Sequence, residues 1–343
     1  MVRRSFITAF ALILLIGLVA YAGSYFSGSV QRTIVDELIK TSLVVGTYIF
    51  IGNSGILSFG HVGFFALGAY ATAWTTISPS IKESLMPDLP GILLGLEISP
   101  YVSPLAGGVL AAFVALLVGI PLSRMVGIAA SIGTFAMLVV IYSVASNWTT
   151  VTGGQGSLYG LPMIANLPAA AAVAMLSIAG AALYQASPAG FRLRGSREDA
   201  IAAQASGVDV RRERLIAFVV SAFFVGVAGA VYAHFLQMVV AAQFYLNLTF
   251  VSVAMLVIGG MRSLTGAVVG AAFVTMLTEL LRQFERGVAV GGFVIGGRPG
   301  VQELGLAVAM LLVILLRPRG LSGGREIADL WPATISQPRP RTP

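Results

Sequence analysis

The sequence predicts an all-α, polytopic membrane protein with about ten transmembrane helices, and three observations carry that prediction. Hydrophobic residues make up 57% of the chain and charged residues only 10%, whereas a water-soluble domain carries about a quarter charged residues. Mean hydropathy is +0.90, so burying this surface in water would leave almost no solvated shell. The apolar residues also fall in long runs, and backbone facing lipid must satisfy its own hydrogen bonds, which makes such runs helical.

A spanning helix needs about 20 mostly apolar residues. Ten runs come near that length: 6–22, 33–52, 56–77, 104–121, 127–145, 167–185, 215–236, 246–260, 264–281 and 301–316. The eighth is short and ends in the pair Gly259-Gly260.

Charge placement orients these runs. The net charge is +7, but the basic residues lie between apolar runs and form no single patch, so nucleic acid is not the expected partner. With a cytoplasmic start, 15 of the 21 basic residues fall inside: Arg3, Arg4, Arg124, Arg192, Arg194, Arg197, Arg211, Arg212, Arg214, Arg262, Arg317, Arg319, Arg325, Arg339 and Arg341. Arg32, Lys40, Lys82, Arg282, Arg286 and Arg298 fall outside. The positive-inside bias therefore places both termini in the cytoplasm. Ala20-Tyr21-Ala22 resembles a signal-peptidase site behind Arg3 and Arg4. Cleavage there would leave the later topology unchanged, and a retained first helix is expected.

Four interruptions carry more than topology. The segment 186–214 is the longest hydrophilic stretch between runs on the cytoplasmic side. Ser196 precedes Arg197-Glu198-Asp199 and then Ala200 to Ala205, which predicts a short helix capped by Ser196 with acids in its first turn. Gly207 is expected to end that helix in a left-handed conformation. The segment reads either as an amphipathic loop with orienting arginines or as a docking helix for a cytoplasmic partner. The second interruption, NSGILSFGHVGFFALGAYATAW over 53–74, is too rich in glycine for an undisturbed helix and adds Asn53, Ser54, Ser58 and His61 at one depth. It predicts close helix contact or a broken, re-entrant backbone near a solute pathway. The third, GGMRSLTGAVVGAA over 259–272, repeats that texture weakly. The fourth, WTTVTGGQGSLYGLP over 148–162, is an uncharged outer segment, either a contact for an outside partner or a flexible interfacial loop held by Trp148 and Tyr159.

Several chemistries are excluded. The chain has no cysteine, so disulfides, thiol catalysis and Cys-bound metal are out. It contains no Gly-Lys dipeptide and hence no phosphate-binding P-loop. His61 and His234 are far apart and lack metal-ligand spacing. Gly320 to Gly324 match G-x-S-x-G by pattern, but follow a membrane run rather than a strand. Glu279 is the one acid well inside a run, and local pairing with Arg282 is expected; Lys40 is similarly placed to pair with Asp36. No bond chemistry and no cofactor of its own are expected.

The stretch from Gly55 to Tyr70, GILSFGHVGFFALGAY, resembles the signature of the branched-chain amino acid ABC transporter permeases of the LivM type. AAQASGVDVRRERLIAFVVSAFFVGVAGAVYA, VTGGQGSLYGLP, VIGGMRSLTGAVVGAA and LLRPRGLSG are similar to further parts of the same family, so the resemblance runs from about Thr33 to Gly324. It implies an ABC importer permease fold: one transmembrane domain over 1–324, with a cytoplasmic coupling loop at 186–214 and a cytoplasmic tail at 325–343. It also implies a second, paralogous permease subunit, two cytoplasmic ATPases that bind the ATP, and an extracytoplasmic solute-binding protein, in a bacterial inner membrane. Ala202, Ala203 and Gly207, with Glu198 before them, fall on the family's coupling motif, where Ile201 stands in place of a frequent Glu. The solute path would lie at the interface with the partner permease, along Asn53, Ser54, Ser58 and His61, with Arg262, Ser263 and Gly266 as a second wall. Branched-chain amino acids or related small solutes are the expected cargo. Urea or short amides are the alternative within the family, and a self-contained proton- or sodium-coupled transporter using Glu279 is the rival outside it.

Overall fold

The computed structural model describes residues 2–285, 288–290, 293–295 and 300–330. Arg286, Arg298, Arg339 and Arg341, and the tail beyond 330, lie outside the described residues. The described residues form fifteen α-helices in order: α1 Val2–Gly23, α2 Gly28–Ser54, α3 His61–Thr76, α4 Pro79–Leu85, α5 Gly91–Leu94, α6 Ser103–Leu122, α7 Ile128–Asn147, α8 Thr149–Thr152, α9 Leu167–Ala186, α10 Pro188–Glu198, α11 Ala200–Ala205, α12 Val210–Leu236, α13 Leu246–Gly259, α14 Leu264–Glu285 and α15 Val301–Leu316. Among the described residues, seven helical stretches are long and apolar enough to cross a membrane: α1, α6, α7, α9, α12, α13 with the turn before it, and α14. The other three runs fall on α2, α3 and α15. Helix α2 has 27 residues but carries Asp36, Glu37 and Lys40, while α3 and α15 have 16 residues each.

Helix α2 runs through the middle. Every residue from Thr41 to Ser54 is buried, as expected of a helix that must meet neighbours on all sides. Helix α12 packs against α2, α3 and α6, and small residues let them approach. A Cβ on Gly229 would sit 1.9 Å from the Phe65 carbonyl oxygen of α3, and one on Gly68 of α3 would sit 2.0 Å from the Gly226 oxygen of α12. Contact this close excludes any side chain. The outer faces of α1, α6, α7 and α15 expose Phe10, Leu18, Leu105, Val109, Ile128, Ile132, Leu312 and Leu315, the surface a bilayer covers.

Short elements close the ends. Strands β1 Ser157–Tyr159 and β2 Met238–Val240 pair antiparallel, Leu158 opposite Val239, and β3 Val288–Val290 pairs with β4 Phe293–Ile295. The segment 148–162 is thus built in rather than loose. Trp74 Nε1 donates to the Val151 carbonyl at 3.0 Å, and His234 Nδ1 donates to the Pro162 carbonyl at 2.8 Å while its Nε2 lies 2.9 Å from Ser103 Oγ. With both ring nitrogens occupied, His234 is a bracket between α12, α6 and this segment. Trp148 and Tyr159 stay exposed.

Candidate functional site

The glycine-rich signature folds as a broken helix. Helix α2 stops at Ser54, Gly55 takes a left-handed φ of 73°, and residues 55–60 run without helix until α3 starts at His61. A Cβ on Gly55 would meet Arg197 Cγ at 2.7 Å, so glycine serves both the turn and the close approach. Ser54 Oγ accepts from Ile56 N at 3.2 Å, and Ser58 Oγ accepts from Gly60 N at 3.4 Å. Ser58 Oγ also lies 2.8 Å from His61 Nδ1. His61 is 2% exposed, with the rings of Phe50, Phe64 and Phe218 around it, and its Nε2 has no partner among the described residues. In this arrangement His61 is enclosed and faces no open channel.

The end of α2 is gripped by α10. Arg194 Nη1 donates to Asn53 Oδ1 at 2.8 Å and its Nη2 to the Gln185 carbonyl at 2.7 Å. Arg197 Nη1 donates to the Gly52 carbonyl at 2.6 Å. A helix C-terminus leaves carbonyls unpaired and carries partial negative charge, so two guanidinium groups are the fitting partners. Tyr48, one turn earlier on α2, accepts a short hydrogen bond from Gln185 Nε2 at the end of α9.

The segment 186–214 contains two helices where one was expected. Ser187 caps α10, accepting from Gly190 N, with Pro188 at the first helical position. Ser196 is therefore not a cap: it lies inside α10 and its hydroxyl returns to the Leu193 carbonyl. Asp199 caps α11 instead, its Oδ1 accepting from Ile201 N and Ala202 N at 2.9 Å each. A carboxylate supplies the same cap as a hydroxyl and adds charge at the helix's positive end. Gly207 takes φ +82° as expected. No residue of α11 is buried, and Ile201 is 80% exposed. The last residues of the segment, from Val210, already belong to α12.

The turn between α13 and α14 is the other candidate wall. Gly260 has φ +117°, and a Cβ on Gly266 would meet the Gly260 carbonyl at 2.6 Å. Ser263 Oγ accepts from Gly266 N at 2.9 Å and lies 2.8 Å from Ser322 Oγ. The chain after α15 folds back on this turn: Leu321 N donates to the Ile258 carbonyl at 2.8 Å. Glu326 accepts from Leu264 N at 2.8 Å, Thr265 N at 3.0 Å and Thr265 Oγ1 at 2.7 Å, capping α14. Arg262 is exposed. The hydrogen bond from Arg197, with its charge and then that of Arg262, holds the Glu198 carboxyl below its ordinary range.

A cavity of about 310 Å³ lies elsewhere, between α2, α12, α13, α14 and the start of α15. Asp36, Lys40, Glu279 and Arg282 line it together with Tyr232, Gln243, Asn247, Thr275 and Thr278, and Leu248, Val251 and Met255 supply an apolar side. Lys40 Nζ donates to Asp36 at 2.5 Å, and Arg282 pairs with Glu279, so both locally expected pairs form.

A broken central helix, small-residue contacts and an exposed helical loop constrain a transport role without naming one; the comparison with known proteins does. The model of the family described as branched-chain amino acid transport system, permease component, matches residues 29–316. The chain belongs to that family. It is 26% identical over 330 residues to the high-affinity branched-chain amino acid transport system permease protein LivM of Escherichia coli K12, an alignment covering 85% of this chain and 70% of that protein. The same-named protein of Salmonella typhimurium LT2 is 26% identical over 346 residues, 91% of this chain and 74% of the relative. The probable permease protein LivH of Methanocaldococcus jannaschii is 30% identical over 135 residues, 39% of this chain and 40% of its own. No solved structure gives a significant match.

Within this permease, the residues expected to matter fall into two clusters. Asn53, Ser54, Ser58 and His61 cluster at the break, and Ser263 and Gly266 with exposed Arg262 form the α13–α14 turn. Glu198 is paired with Arg197 at 2.8 Å and feels the charge of Arg262. Ala202, Ala203 and Gly207 lie farther along the exposed loop. Arg194 and Arg197 were read from sequence only as orienting charges. A cluster of arginines in the hydrophilic segment was the signal available, but nothing in the sequence says that Arg194 and Arg197 reach the end of α2, 141 and 145 residues away.

Proposed function

We propose that this chain is a permease subunit of an ATP-driven importer for branched-chain amino acids, working with a second, paralogous permease, two cytoplasmic ATPases and an extracytoplasmic binding protein. Both termini and the loop 186–214 face the cytoplasm, and the chain itself catalyses no bond chemistry. Helix α11 is the docking element, seated on the ATPases through its exposed face, with Glu198, Ala202, Ala203 and Gly207 setting its shape. The solute path follows the break at Asn53, Ser54, Ser58 and His61, with Arg262, Ser263 and Gly266 opposite.

The single observation that carries the coupling is the grip of Arg194 and Arg197 on the end of α2. Movement of α11 by an ATPase passes through α10 and its two arginines to the carbonyl end of the broken helix. The closed environment of His61 belongs to a resting state, and displacing the α2 end opens it.

The test is purification from the native membrane in mild detergent with mass spectrometry of the associated chains. A second permease and ATPase subunits are expected. Isolation of this chain alone, with proton- or sodium-driven uptake in liposomes, would overturn the reading. Gly207→Val adds a sharper arm. A β-branched residue in left-handed backbone costs about 1–2 kcal/mol, so the α11 loop should distort and ATP hydrolysis should continue without uptake. Normal uptake in that variant would remove the docking role.

A further inference from the structure

The cavity bounded by α2, α13 and α14 has a composition that the coupling mechanism does not use. In membrane proteins, ionisable side chains that face a cavity mark solute or ion pathways. Here four of them, Asp36, Lys40, Glu279 and Arg282, come from two helices far apart in sequence and face one space. Each pair alone reads as a local helix-surface contact, at i,i+4 and i,i+3. Their convergence does not. The side-chain amide oxygen Oε1 of Gln243 on the same wall is buried and has no hydrogen-bond partner among the described residues, and an unsatisfied buried acceptor normally has a ligand or water to satisfy it.

We infer that this cavity is a transit site for the zwitterionic head of an amino acid, within this chain alone, upstream of the break. The charges sum to zero as two acids and two bases, which suits a solute that is itself neutral overall but carries separated charges. On entry the ammonium group replaces Lys40 and Arg282 as the partner of Asp36 and Glu279, and the carboxylate takes the two bases. The charge-assisted hydrogen bonds given up are replaced in number and kind. Leu248, Val251 and Met255 take the hydrocarbon side chain. A volume of about 310 Å³ is at the small end of the usual range for ligand cavities, roughly 300–1,000 Å³. Urea or a short amide carries no separated full charge and would leave both pairs unopened. The inference rests on the amino-acid reading above and locates a site for it.

The absence of cysteine in the chain provides the experiment. Asn247 is exposed on the cavity wall, and Asn247→Cys is labelled with a membrane-impermeant maleimide in the intact importer, with Ile92→Cys as a remote exposed control. L-leucine at ten times its dissociation constant should slow labelling at 247 by about elevenfold and leave 92 unchanged. Adding Arg282→Gln should raise the leucine concentration needed by at least about tenfold. The exchanged pair Asp36→Lys with Lys40→Asp keeps the charge sum and should protect more than Arg282→Gln does. In an importer that still takes up leucine, no protection at 247, or protection indifferent to Arg282→Gln, would overturn the site alone. An assembly showing neither leucine uptake nor protection would overturn the amino-acid reading and the site with it. Protection by urea at the same concentrations as leucine would also overturn the zwitterion assignment.

Discussion

Two regions of the helix bundle differ in how tightly their helices meet. Around α3, α6 and α12 the backbones touch through glycine, and a single added methyl would overlap a carbonyl oxygen. At the start of α14 the backbones touch in the same way, Gly270 against the Met255 carbonyl, but toward its end α2, α13 and α14 open over a cavity lined by four charges. The first region tolerates almost no relative movement, because packed interiors resist small changes of volume. The second has space and exchangeable ion pairs. A transporter needs both, a fixed frame and a part that rearranges, and here the division follows the distribution of small residues.

Breaking the frame should have the largest effect. Gly229→Val places a branched side chain against the Phe65 carbonyl, and overpacking of this kind costs about 3 kcal/mol or more. The detergent-solubilised protein should lose its monodisperse peak in size-exclusion chromatography; a native-like melting temperature would show that α3 and α12 can separate. Next in size is Arg197→Ala, which strips the Gly52 carbonyl of its charged donor. Loss of a hydrogen bond to a charged group costs about 1.5–3 kcal/mol. Uptake per ATP hydrolysed should fall about tenfold with expression unchanged, and unaltered stoichiometry would place the coupling route elsewhere. Glu326→Ala removes the cap of α14 and should lower stability by about 1 kcal/mol, read as a shift in thermal unfolding in detergent. Glu198→Gln should do least. The Glu198–Arg197 pair is exposed on the acidic side, and such pairs contribute less than about 1 kcal/mol, so uptake close to wild type is expected. A large loss there would mean that Glu198 touches a partner.

Much of this was legible in the sequence. The apolar runs became helices with boundaries shifted by a few residues, and glycines at 55 and 207 adopted the left-handed backbone expected of them. The pairs Asp36–Lys40 and Glu279–Arg282 were readable because helical spacing is local. What stayed hidden was either competitive or long-range. In the loop, Ser187, Ser196 and Asp199 are all competent caps, and the presence of Pro188 after Ser187 decides the first helix. With α10 already formed, Ser196 is interior and the next start passes to Asp199. The meeting of the two ion pairs at one cavity, and the reach of Arg194 to Asn53, cross more than a hundred residues of chain and leave no periodic trace.

The cap of α14 has a consequence for how the molecule is made. Glu326 lies 62 residues beyond Leu264, whose amide it holds. At roughly 5–20 residues per second of synthesis, the ribosome supplies that carboxylate some seconds after the helix it completes has emerged. Helix α14 therefore enters the membrane with its first amides open, and the α13–α14 hairpin is sealed only when α15 has been delivered and the chain behind it returns. The last step of biogenesis is thus written into the turn itself, and a nascent chain stalled before Glu326 carries an unfinished hairpin.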